Sequence, residues 1–291
     1  MAARLVHLKI EKMPKTISSY ILVLIIFAGL FLSGCSKKNY PENQSEIAVT
    51  NSYLQCAVKD LCGDESEVFC LAPPGMCPGH FDISPSQVKQ LSRCKILLLL
   101  DFQDKIEGSL TGLKRKGLKT FLIKSQPGMC IPQVYLDTCR HVYNVISEEF
   151  PERKSFFEQR LNIISERMKK LSGDIEIKIK DSGLESVKVI ASGHQSKFAD
   201  WLGLETIAEF SGSDSETASN INECLARAKE NNVKFVIANK QEGTYLADSL
   251  ADRLKIRTVI FSNFPQSVND TTGFDKLVQQ NVNAIIEAAR K

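Results

Sequence analysis

Glu152 to Ile179 reads ERKSFFEQRLNIISERMKKLSGDIEIKI, and the architecture turns on whether this stretch is one helix. Phe157, Leu161, Ile164, Met168, Leu171, Ile175 and Ile179 recur at spacings of four, three, four, three, four and four, which draws one apolar stripe down a helical face. A continuous helix over this range is about 42 Å long at ~1.5 Å per residue, long enough to cross two α/β lobes and to restrict hinge motion between them. Ser172-Gly173-Asp174 works against continuity. A glycine inside a helix costs about 1 kcal/mol relative to alanine, and Ile175-Glu176-Ile177-Lys178-Ile179-Lys180 alternates with the period of a strand. Local pattern leaves the tail open between helix and hairpin.

On both sides of this stretch, short apolar or β-branched runs alternate with helical ones. Ile47–Val49, Val68–Leu71, Ile96–Leu100 and Thr120–Ile123 read as strands, with helices at 84–93, 104–116 and 137–149. A second series runs through Val187–Ala191, Thr206–Phe210, Phe235–Ala238 and Thr258–Phe261, with helices at 196–203, 217–230, 243–254 and 273–290. Continuous apolar strands such as Ile96–Leu100 belong to parallel sheets covered on both faces. The expected fold class is therefore α/β, with two doubly wound parallel-sheet lobes at 47–150 and 184–291 joined by a long backbone helix at 151–183.

The N-terminus reads as a secretory signal. Arg4, Lys9, Lys12 and Lys15 precede an unbroken apolar run from Ile21 to Leu32, a basic flank and short apolar core too brief for a membrane span. Met13 would serve equally well as the start. Leu32-Ser33-Gly34-Cys35 resembles the bacterial lipoprotein box, in which the Cys is lipidated and begins the mature chain. This implies a signal peptide at 1–34, a lipidated Cys35 and a flexible tether at 35–46, with the protein exported and held to the bacterial membrane. Losing residues 1–34 would remove four of 37 basic and one of 34 acidic residues, leaving no net charge. Nothing in that balance argues for nucleic acid.

Beyond Cys35 lie Cys56, Cys62, Cys70, Cys77, Cys94, Cys130, Cys139 and Cys224. Export permits disulfides. Cys56, Cys62 and Cys70 are near enough in sequence for a local bridge, whereas Cys94 and Cys224 sit on core patterns. Pro-Gly-Met-Cys occurs twice, at Pro74–Cys77 and Pro127–Cys130, each time soon after a strand. Three residues beyond each Cys stand His80 and Gln133. Loops after two strands of an open α/β sheet can converge on a ligand, so Cys77 and Cys130 are candidates either for a disulfide or for a pair of thiolate ligands; a turn whose Met-Cys merely fills a core is the plainer alternative.

Taken together, the layout resembles the metal-binding solute receptors of zinc and manganese ABC importers, from about Ile47 to the C-terminus. His80-Phe81-Asp82 with Pro85-Ser86 resembles the first ligand segment of that family. Ile131-Pro132-Gln133-Val134-Tyr135-Leu136-Asp137 resembles the second, with Gln133 where the family has His. Ser192-Gly193-His194, followed by Phe198 and Leu202-Gly203-Leu204-Glu205, resembles the third, with His194 in the ligand position, and Phe261-Ser262-Asn263-Phe264 the fourth, where neutral Asn263 or Ser262 stands in place of the family's Asp. The His-rich loop of many zinc members is missing.

The resemblance implies a monomeric, lipid-anchored receptor that holds a transition-metal ion between its lobes and delivers it to an ABC transporter permease. Gln133 and Asn263 are weaker donors than imidazole or carboxylate. Two accounts follow: a degenerate receptor without metal, or a rebuilt site in which Cys77 and Cys130 join His80 and His194. A Cys₂His₂ set suits zinc and would also suit copper(I), to which Met76 or Met129 could add a thioether; manganese is a further candidate. His141, on an amphipathic helix, reads as structural. A receptor of the same plan for a metal chelate, haem or corrinoid is the alternative ligand class. Catalysis is not expected: no CxxC pair, GxxxxGK loop, GxGxxG turn or GxSxG elbow occurs.

Overall fold

The computed structural model describes residues 45–63, 66–73, 76, 83–103, 106, 108, 110–212, 215–266 and 273–290. The expected signal, the tether as far as residue 44 with Cys35, and the positions of Cys77 and His80 lie outside them.

Each half of the chain builds a four-stranded parallel sheet. In the first, β1 (Ile47–Val49), β2 (Val68–Cys70), β3 (Ile96–Leu100) and β4 (Lys119–Ile123) lie in the order β2-β1-β3-β4. In the second, β5 (Lys188–Ser192), β6 (Glu205–Phe210), β7 (Phe235–Asn239) and β8 (Arg257–Phe261) lie in the order β6-β5-β7-β8. The plan is the same in both. Every residue of β3 is buried, as its unbroken Ile-Leu-Leu-Leu-Leu demands. In each sheet the strand order reverses direction between the first and third strands, so the carboxyl ends of β1 and β3, and of β5 and β7, flank a topological switch point where open α/β sheets bind ligands.

The first half carries α1 (Ser52–Cys62), α2 (Pro85–Leu91), α3 (Thr111–Lys114) and α4 (Pro132–Glu149), and the chain then enters α5, Lys154–Asp181. The second half carries α6 (Gly193–Trp201), α7 (Ala218–Glu230), α8 (Tyr245–Leu254) and α9 (Gly273–Arg290). Helix α5 is unbroken over 28 residues, which settles the open tail as helix. Ile175 and Ile179 stay on the buried stripe, while Ile177, the residue that created the strand-like alternation, is exposed. Gly173 holds helical backbone with no heavy atom within 4 Å of a built Cβ. Gly173→Ala is therefore expected to stabilise the protein by about 0.5–1 kcal/mol, read as a higher urea midpoint at unchanged m-value.

Helix α1 was not expected from the sequence. Asn51 caps it by accepting a hydrogen bond from the Leu54 N–H at 2.9 Å. Its presence removes the local-bridge expectation: Cys56 and Cys62 are six residues apart on one helix, a rise of about 9 Å, beyond disulfide reach. Cys62 and Cys70 are free thiols. Burial pushes the Cys62 thiol up to about 11 and the Cys70 thiol up to about 12.

The main core is continuous across the molecule. Residues of both sheets, of α1 and α9 and of the α5 stripe form one buried cluster. At its centre the Tyr135 and Phe274 rings stack with centroids 3.8 Å apart, and Tyr53 meets Phe274 edge-on at 6.1 Å. A polar chain runs beside them. Asp60 of α1 is almost fully buried, accepts from the Tyr135 hydroxyl at 2.6 Å, and is held through both oxygens by Arg167 of α5. The same guanidinium lies 3.2 Å from Asp275 of α9.

Candidate metal-binding site

The carboxyl edge of the second sheet gathers polar side chains. Ser192 ends β5 and starts α6, its hydroxyl accepting from the His194 N–H at 3.3 Å. That cap places His194 on the first turn, on the open side, with its side chain 67% exposed. Across the switch point, β7 runs into a 3₁₀ turn, Lys240–Glu242. The Ser192 hydroxyl donates to Glu242 Oε2, and Glu242 Oε1 lies 3.6 Å from His194 Nε2.

Beneath this pair lies a buried amide network. Gln195 is fully buried and donates from Nε2 to Asn239 Oδ1 at 3.2 Å and Asn263 Oδ1 at 3.1 Å. Its Oε1 has no hydrogen-bond partner among the described residues. The Asn263 N–H donates to Gln241 Oε1 at 3.0 Å, and Gln241 donates to the Ser262 hydroxyl at 2.9 Å.

Cys130 enters the network from the other half of the chain. Its Sγ lies 3.0 Å from the Ser262 carbonyl and 3.6 Å from Asn263 Oδ1, and accepts from Asn281 Nδ2 at 3.4 Å. It is a free, fully buried thiol, and burial pushes its pKa well above the ordinary cysteine value. The structure thus joins Cys130 to Asn263, and Gln195, the residue after His194, donates to the same Asn263 oxygen. Gln133 is exposed on the first turn of α4, where its amide donates to Asp137 Oδ1 at 3.0 Å.

The first sheet shows a related arrangement. Gln103 Oε1 accepts from the Thr50 hydroxyl at 2.6 Å and from the Leu100 N–H at 3.1 Å. Next to it, Asp101 at the end of β3 accepts from the Ser125 N–H and hydroxyl. The slight burial of Asp101 would raise its pKa, but these donors outweigh it and hold the carboxyl below its ordinary value. Sequence reasoning missed Glu242 and Gln195. The position of Glu242 after the third strand of a 2-1-3-4 sheet was the signal that could have found it.

Chemically, the open edge offers an imidazole and a carboxylate side by side. Two donors on one tetrahedral zinc, each ~2.0–2.2 Å from the ion, sit about 3.4 Å apart, close to the His194–Glu242 spacing. Among the described residues no group of three or more His, Cys, Asp and Glu forms a complete metal cluster.

Comparison with known proteins points the same way. A Thermotoga maritima protein named for metal binding is 25% identical over 263 residues, covering 84% of this chain and 92% of that protein. The manganese ABC transporter substrate-binding lipoprotein PsaA of Streptococcus pneumoniae is 21% identical over 199 residues, 58% of this chain and 64% of its own. The crystal structure of ZnuA superposes with a TM-score of 0.66 at 19% identity, over 82% of this chain and 98% of that one, so the fold is shared. The family described as zinc-uptake complex component A, periplasmic, matches residues 132–288. With more than half its length inside that match, and with Gln133, His194 and Asn263 in it, the chain belongs to the ZnuA family of zinc-uptake components.

Proposed function

We propose that this protein is an extracytoplasmic solute-binding receptor of an ABC importer that captures a transition-metal ion between its two lobes and performs no chemistry on it. The observation that carries the reading is His194, an exposed imidazole fixed at the switch point of the second sheet. Membership in a zinc-uptake family supports zinc first; manganese stays in range because a relative is named for it, and copper is the third candidate through sulfur donors. His80, from the other lobe, is the proposed partner of His194. Lipid on Cys35 would tether the receptor beside its permease, in keeping with the relatives named as lipoproteins.

The test is elemental analysis of the mature chain purified under reducing conditions, with His194→Ala and His80→Ala alongside. About one ion per wild-type chain is expected, with marked loss in either variant. A wild type holding no stoichiometric metal after dialysis against zinc, manganese or copper overturns the reading. A Cys77→Ser variant that loads as fully as wild type would remove sulfur from the ligand set and leave capture intact.

A further inference from the structure

The loss of the acid expected at Asn263 raises the question of where this site finds its negative charge. We propose that Glu242, rather than Asn263, supplies the anionic donor, acting as a metal ligand beside His194; this rests on the capture reading above.

Three observations carry the assignment. The first is position: Glu242 follows β7 and His194 follows β5, so the two flank the switch point of the second sheet from opposite sides. The second is aim. The Ser192 hydroxyl fixes Oε2, which leaves Oε1 turned toward His194 Nε2 at 3.6 Å, and a hydrogen bond of this kind orients a ligating carboxylate. Space is kept open there by Gly212, where a Cβ would approach Oε1 to 3.3 Å.

The third is a comparison inside the molecule. In the first lobe the residue that closes the corresponding 3₁₀ turn, Asp101–Gln103, is Gln103, which is 2% exposed and accepts from Thr50 as Glu242 accepts from Ser192. A neutral side chain is therefore enough to brace the end of the first strand. The second lobe keeps the brace through Oε2 and adds a charged oxygen on the open side. Asn263, in contrast, is 6% exposed and its Oδ1 already accepts from Gln195 and faces Cys130. An imidazole with a carboxylate suits zinc or manganese better than copper(I), which favours sulfur.

The experiment is a zinc titration of the mature protein against a chromogenic competitor chelator, run on wild type, Glu242→Gln, Glu242→Asp and Asn263→Ala. Glu242→Gln keeps an acceptor for Ser192, so its metal-free melting midpoint should match wild type while its zinc affinity falls at least tenfold. Glu242→Asp should recover part of that loss, and Asn263→Ala should stay within threefold of wild type. A Glu242→Gln protein that binds zinc within threefold of wild type overturns the proposal, reducing Glu242 and His194 to a surface ion pair, and leaves capture standing. A wild type that binds no zinc overturns both.

Discussion

Arg167→Met is expected to lower the unfolding free energy by about 3–5 kcal/mol, because it leaves the Asp60 carboxylate buried without its compensating charge. Asp60 is 1% exposed, and both of its oxygens are held by the guanidinium. The Tyr135 hydroxyl and the Arg160 Nε–H, which donates to the Asp60 carbonyl, remain in the variant but do not replace that contact. The same substitution releases Asp275, so α1, α5 and α9 lose a common fastening. Urea unfolding of Arg167→Met, Asp60→Asn and the double variant checks this, with the double variant much less destabilised than the sum of the singles. A cost below about 1 kcal/mol for Arg167→Met would show that the network does not hold these helices together.

Phe274→Ala is expected to cost a similar amount, about 3–5 kcal/mol, the usual range for deleting a buried aromatic. Phe274 is fully buried, stacks on Tyr135 and meets Tyr53 edge-on, and both tyrosines come from the first half of the chain. Its removal opens a cavity where the two halves join, and stacked pairs add roughly 0.5–1.5 kcal/mol beyond the area they bury. Because one core cluster runs through both sheets, the variant should still unfold in a single transition, shifted to lower denaturant, by both near-UV and far-UV signals. Two separated transitions would contradict a shared core.

Much of this could be read before any coordinates. The two strand series come out within a residue or two of their observed limits, since parallel strands buried on both faces leave unbroken apolar runs. The α5 stripe was legible because six of its seven apolar residues face the core. Helix α1 was harder to read: nine of its eleven residues are buried, and only Gln55 and Lys59, four apart, mark its polar face. Helix α4 begins at Pro132, five residues before the expected 137, because a proline at the first helical position starts a helix cleanly. At the site, His194 was found through its motif. Glu242 was not, because its importance comes from strand order, which sets residues 50 positions apart within reach. Of the first-lobe candidates, Cys77 and His80 lie outside the described residues.

The continuous α5, with a salt-linked aromatic seam on its flank, leaves the halves of this protein little freedom to swing. On the capture reading, an ion arriving at such a body would meet His194 and Glu242 already set in their spacing, so little affinity would be lost to a scarcely populated competent form. The same rigidity makes unloading the harder step. Departure of the cargo would depend on a neighbour prising loops apart, and the half-life of the loaded state, rather than the strength of capture, would set the pace of delivery.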